Sequence, residues 1–140
     1  ILNLITGSPL YVKYKNRSWT PQDSNYYLIN SLQTLSLKRF FFYLEFLEKK
    51  DLILSSKKEK IKNRINKKLE TIYYPLFLKV EIKKTIPVAF DIKGKLRTFI
   101  THRALIDFVN IDKELTNFIV DNGIGNLNAM GFGFLNIIKT

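Results

Sequence analysis

The chain has 140 residues, 46% of them hydrophobic and 14% aromatic, which suits one domain with an adequate core and excludes intrinsic disorder. Zero cysteines exclude disulfides, thiol catalysis and cysteine-ligated zinc, and a single histidine argues against a metal site built on imidazoles, so neither metal nor cofactor is expected. The net charge of +11, with a pI near 9.8, points to a polyanionic partner.

That charge is uneven. Residues 49–100 hold 15 of the 23 basic and 5 of the 12 acidic residues, a net of +10, and the remainder of the chain is close to neutral. Nucleic acid is the leading reading of such a field. A merely solvated basic face, helped by the Lys-, Ile- and Asn-rich usage of an AT-rich genome, and an anionic membrane surface are the alternatives. The longest apolar run, Phe40 to Leu44, is halted by Glu45, far short of the roughly 20 residues a membrane-spanning helix needs. The opening "ILNLITGSPL" lacks the basic start and apolar stretch of a signal peptide. A soluble, cytoplasmic protein without a membrane partner is therefore expected. The start at Ile1 rather than Met fits either removal of something upstream or one part of a longer protein.

In chain order, Leu2 to Lys15 reads as a strand interrupted at Ser8-Pro9, with "YVKYK" alternating. Residues 15–25 are a polar loop in which Asp23 or Ser24 can cap a helix and Trp19 acts as a local staple. Leu28, Leu32 and Leu35 open a helix from Asn25 to about Lys49, with a kink expected near Ser36. Ser55 or Ser56 caps a second helix. Its narrow stripe of Ile61, Ile65, Leu69 and Ile72 is surrounded by Lys57, Lys58, Lys60, Lys62, Arg64, Lys67 and Lys68, so light docking is expected. Residues 75–92 and 95–109 read as a hairpin turning at Lys93-Gly94, with Pro87 marking a bulge or an edge. In its first strand Phe77, Lys79, Glu81 and Lys83 share one face, opposite Leu78, Val80 and Ile82. Asp112 caps a short helix with Leu115, Phe118 and Ile119 inward, Asn122-Gly123 ends it in the left-handed manner, and residues 131–139 supply a last strand. The order is βαββαβ. Residues 1–140 are thus expected to form one α+β, ferredoxin-like domain with an antiparallel sheet and a Lys-rich helical insertion.

The stretch "NGIGNLNAMGFGFLNII" places Gly123, Gly125, Gly131 and Gly133 within eleven residues. A dinucleotide fingerprint needs a strand, then glycines, then a helix N-terminus. Here a helix C-terminus, with its negative partial charge, precedes the glycines, and a strand follows. No Walker lysine is present, so nucleotide binding is rejected. A backbone nest for RNA phosphates, with Asn126 and Asn128 adding hydrogen bonds, remains open. So does a purely conformational role in the turn.

"GIGNLNAMGFGFLNI" resembles the carboxy-terminal glycine-rich motif of the CRISPR repeat-processing endoribonucleases, in the repeat-associated mysterious protein (RAMP) superfamily. The likeness lies at Gly123, Gly125, Asn128, Met130, Gly131, Phe132 and Gly133, and "ITGSPLYVKY" is similar to the opening strand of that family's second ferredoxin-like domain. The resemblance implies metal-independent cleavage of CRISPR repeat RNA, leaving a 2′,3′-cyclic phosphate. It also implies that this chain is the second of two domains, with RNA held by the glycine motif and by the lysines of 57–68. The general acid and base of the resembled family lie in the first domain, so the catalytic residues are unknown. The alternatives are a non-catalytic guide-RNA subunit of a CRISPR effector complex and a basic module that binds an acidic protein or a membrane.

His102 is the one candidate base in this chain. In a strand it points away from Arg103 and Arg97 and shares a face with Thr98, Ile100 and Ala104, a poor catalytic set. An ordinary histidine is the expectation. Phe40, Phe41, Phe42 and Tyr43 cannot all face inward from one helix, and packing against a further domain is favoured over base stacking. Tyr26, Tyr27, Tyr73 and Tyr74 carry the same two readings.

Overall fold

The computed structural model describes residues 1–138. Its elements are β1 (Leu2–Thr6), β2 (Lys13–Tyr14), β3 (Arg17–Ser18), α1 (Asn25–Lys49), α2 (Ser55–Thr71), β4 (Phe77–Ile92), β5 (Lys95–Phe108), α3 (Lys113–Asn122), a 3₁₀ turn (Asn128–Met130) and β6 (Leu135–Ile137). The main sheet runs β4-β5-β1-β6 with every pairing antiparallel, and β2 and β3 form a separate small hairpin. This is the α+β, βαββαβ arrangement expected, with α2 as the basic helical insertion.

One sheet face carries Leu4, Val80, Ile106 and Leu135 into a core completed by Leu28, Leu32 and Leu44 of α1 and Leu115 and Ile119 of α3. Burial of such side chains stabilises by roughly 1.5–3 kcal/mol each. Ile61 and Ile65 of α2 are buried in the same core, and Leu69 and Ile72 pack partly buried against it, so the narrow stripe is the docked face of the basic helix. Among the described residues no helix is long and apolar enough to cross a membrane.

The β4–β5 hairpin is the feature that shapes the surface. Only Leu105–Phe108 of β5 pair with β1, so the rest of the hairpin projects past the sheet, tied down by a bridge between His102 and Leu10. Its turn lies at Lys93-Gly94 as expected, both residues with positive φ (51° and 79°), the signature of a two-residue hairpin turn. β4 is an edge strand, which accommodates Pro87.

Several local expectations are corrected. The first strand stops at Thr6; Tyr11 and Val12 are both buried, because the chain there runs under the hairpin rather than along a sheet. Trp19 is core, 1% exposed, its Nε1 donating to the Ser24 carbonyl at 3.0 Å. α1 is unbroken through Ser36. Ser24 caps it, accepting from the Tyr27 amide at 3.2 Å, while Asp23 is held by Arg17 through two 2.7 Å bonds. α2 starts at Ser55 after Leu54, with no side-chain cap. Bulges in β4 between Phe77 and Lys79 and between Ile82 and Lys84 put Phe77 and Val80 both in the core, against strict alternation. Asp112 does cap α3, accepting from the Leu115 amide at 3.1 Å. Gly123 ends that helix at φ 88°, ψ 178°, a region open to glycine alone rather than the left-handed helical one. The last strand is confined to Leu135–Ile137; residue 139 of the expected strand lies outside the described residues.

Candidate nucleic-acid interface

The glycine motif is a folded tab pressed between α1, the chain at Leu10–Lys13 and the projecting hairpin. The Ile124 amide donates to Gly133 O at 2.9 Å, Gly133 N–H to Pro9 O at 2.8 Å, and Asn126 N–H to Tyr11 O at 2.8 Å. A Cβ at Gly125 would overlap the Tyr11 carbonyl, and one at Gly133 the Ile124 carbonyl. These two glycines are therefore required by close backbone approach. Gly131 differs: its φ is +96° but nothing lies within 4 Å of its Cβ direction.

Both asparagines have structural work. Asn126 Oδ1 accepts from the Lys13 amide at 2.8 Å. Asn128 Nδ2 donates to Ile124 O at 2.9 Å and Phe132 O at 2.8 Å, while its Oδ1 accepts from Arg39 Nη1 at 2.7 Å. Phe132 sits 4% exposed between the two glycines and packs on Tyr11, Phe90 and Phe99, with centroids 6.1, 5.6 and 6.3 Å away. The motif thus joins the hairpin to the body of the protein.

Around this tab lie two concavities. A cleft of about 790 Å³ opens between β2–β3, the outer hairpin and the motif, with Tyr11 and Phe99 beside Lys13, Arg17, Arg97 and Asn126. A groove of about 420 Å³ runs between α1 and β2, with Lys13, Lys15 and Asn126 again at its wall. Among the described residues neither is lined by an aspartate or glutamate. Lys13 and Asn126 belong to both, so the two adjoin at this pair, and their lining cations make a track of positive charge beside the motif. Composition hid these residues, because Lys13 and Arg17 of the β2–β3 hairpin, Arg97 of β5 and Asn126 of the motif come from three separate segments and only the fold assembles them; the motif between them was the visible signal.

The basic helix is less free than its composition implies. Lys58 is buried and ion-paired with Glu48 and, at 3.1 Å, Glu45; these carboxylates hold its ammonium well above the ordinary lysine range. Lys62 reaches Glu45 at 3.5 Å. Arg64 Nε donates to Asp112 at 2.6 Å and its Nη2 to Glu114 at 3.4 Å. Lys57, Lys60, Lys67 and Lys68 are exposed and make no ion pair among the described residues. No residue of α2 lines the track around the glycine motif.

His102 is 0% exposed. Its Nε2 lies 3.0 Å from the Trp19 carbonyl, which only accepts and so fixes the proton there; Nδ1 then accepts from the Thr85 hydroxyl at 3.1 Å. Burial lowers its pKa below 6.5, and the neutral ring is a structural element that no substrate reaches. On α1, Phe40 is 2% exposed, but Phe42 and Tyr43 are 75% and 40% exposed, so the aromatic run does divide between core and surface. Tyr26 and Tyr73 are exposed, while Tyr27 packs edge-on against Tyr14. Among the described residues no group of three or more His, Cys, Asp or Glu could hold a metal ion.

Residues 2–137 match the family described as "CRISPR associated protein Cas6, C-terminal". A solved structure described as "CRISPR associated protein Cas6" superposes on 99% of this chain with a TM-score of 0.53 and 19% identity, a likeness of fold. The chain covers 49% of that structure's length. No curated protein matches the sequence. Matched over almost its whole length, the chain belongs to the carboxy-terminal domain family of the CRISPR-associated protein Cas6.

Proposed function

We propose that this chain binds CRISPR repeat RNA in the cytoplasm, as the second ferredoxin-like half of a metal-independent endoribonuclease that processes it. The family match over residues 2–137 carries the reading. The track that shares Lys13 and Asn126 supports it: a cationic, acid-free channel with aromatic side chains in its wall suits a phosphodiester strand. Gly123, Gly125 and Gly133 hold the tab in place, and Gly131 leaves its exposed turn open to the RNA. The unpaired Lys57, Lys60, Lys67 and Lys68 add a long-range field that speeds encounter.

Cleavage in this reading is attack of a 2′-oxygen on the adjacent phosphorus, with loss of the 5′-oxygen and formation of a 2′,3′-cyclic phosphate. In this reading the proton acceptor and donor belong to the preceding half, as the family resemblance implies, and the enclosed imidazole of His102 is not one of them. That enclosure also favours a second reading, in which the chain binds guide RNA without cutting it, as a subunit of an effector complex.

The test is equilibrium binding of labelled single-stranded repeat RNA across a salt series. Each phosphate neutralised on a single strand contributes about 0.7 to the log–log slope. Lys13→Ala and Arg97→Ala should each flatten the slope by roughly that amount. Unchanged slopes in both variants, or equal affinity for any polyanion, would defeat the proposal. Repeat RNA cut by the two-domain protein in excess chelator would favour processing over guide binding.

A further inference from the structure

Arg39 is the unusual cation of this molecule. It lies on α1, four residues after Leu35, which lines the groove, so it continues the cationic track by one helical turn. Its Nη1 donates to Asn128 Oδ1 at 2.7 Å, and the guanidinium makes no other hydrogen bond and no ion pair among the described residues. Arg17 and Arg64, by contrast, are each matched by carboxylates.

Arg39 is also half-buried, and burial is what lowers its pKa. A partly desolvated cation facing only a neutral amide is an incomplete arrangement, because such a charge is ordinarily compensated by an anion. Most of its N–H donors remain available, in the fork geometry that suits a phosphate. The glycine motif holds one of its edges and leaves the others open.

We propose that Arg39 is a phosphate-binding residue for the RNA strand, completing behind the glycine motif the track that begins at Lys13. This assignment rests on the RNA-binding reading above. Asn128 then has two tasks: its Nδ2 fixes the motif, and its Oδ1 aims the guanidinium. The alternative role, a plain latch between α1 and the motif, depends on the hydrogen bond rather than on the charge. The two roles are therefore separable by experiment.

The experiment compares the salt dependence of repeat-RNA binding by the wild type, Arg39→Lys and Arg39→Gln, with a thermal melt of each. Loss of one phosphate contact flattens the slope by about 0.7. The expected result is that Arg39→Gln shows that flattening and binds several-fold more weakly, while Arg39→Lys keeps the wild-type slope. A latch would lower the melting temperature of both variants and leave both slopes unchanged, which would overturn the assignment of Arg39 alone. A wild type without salt-dependent binding would instead remove the RNA reading and this assignment with it. Should Arg39→Gln not fold, the side-chain Nε–H resonance of Arg39 in the wild type decides. It should move on titration with repeat RNA, and a resonance unmoved at saturation overturns the proposal.

Discussion

Gly133→Ala should be far more damaging than Gly131→Ala, although the two glycines lie two residues apart and both have positive φ, 78° and 96°. Forcing alanine into that region costs about 1–2 kcal/mol at either site. At Gly131 little else follows, since the added methyl meets open space. At Gly133 the methyl overlaps the Ile124 carbonyl oxygen and approaches Asn128 Nδ2 at 3.0 Å. Relief requires moving the segment before β6, which carries the bonds Gly133 N–H to Pro9 O and Ile124 N–H to Gly133 O. At about 1 kcal/mol net for each bond, the total reaches roughly 3–4 kcal/mol, a large share of a typical 5–15 kcal/mol stability. Phe132 would also shift out of its ring cluster. Urea unfolding at neutral pH measures both variants against the wild type. If the two substitutions cost the same within about 0.5 kcal/mol, the close-approach account of the motif is refuted. The contrast also has a practical use, because Gly131→Ala disturbs the fold least and so lets RNA contact by the turn be tested.

The pH dependence of stability should report His102. Its folded-state pKa lies below the unfolded value near 6.5 because burial disfavours the charged ring, so the unfolded chain binds the proton first. Stability from this group is complete above pH 6.5 and declines as pH falls through the window below it; a urea midpoint flat from pH 7.5 to pH 5.5 would contradict this. Lys58→Met should lower the melting temperature by stranding Glu48, yet leave the RNA salt slope unchanged, whereas Lys60→Ala should flatten it; equal effects on the slope would show that the ion pairs of α2 open on binding. Asp112→Ala should cost about 1 kcal/mol through loss of the α3 cap, with Asp112→Asn recovering most of it. Equal losses in urea unfolding would assign the stability to the Arg64 pair instead.

Much of the architecture was legible because it is written in local patterns. The Lys93-Gly94 turn, the Asp112 cap, the Gly123 stop and the Ile61–Ile65 stripe each depend on neighbours within a few residues, and all four stand where the sequence puts them. The βαββαβ order followed from them. What escaped was set by distant contacts. Tyr11 and Val12 are both buried because the outer hairpin and the glycine motif close over that segment, and no alternation in "YVKYK" encodes a lid from residues 90–132. The bulges of β4 shift its facing pattern to meet β5, a property of the pair rather than of the strand. The candidate site divides in the same way. The glycine motif was visible, but its reasons are backbone atoms of Tyr11 and Ile124 that only folding brings near. Counting charge pointed to α2, where Lys58 and Arg64 spend their charge on Glu48, Glu45 and Asp112. The cations free of acidic neighbours around Asn126 are scattered through the sequence at Lys13, Lys15, Arg39 and Arg97.

The central claim, that RNA follows the track around Asn126, is tested most directly by photo-crosslinking repeat RNA carrying 4-thiouridine to the protein and mapping the modified peptides. The account predicts crosslinks in residues 11–18, 92–100 and 126–130, the segments that wall the cleft. Crosslinks confined to α2, with none in those three segments, would contradict it.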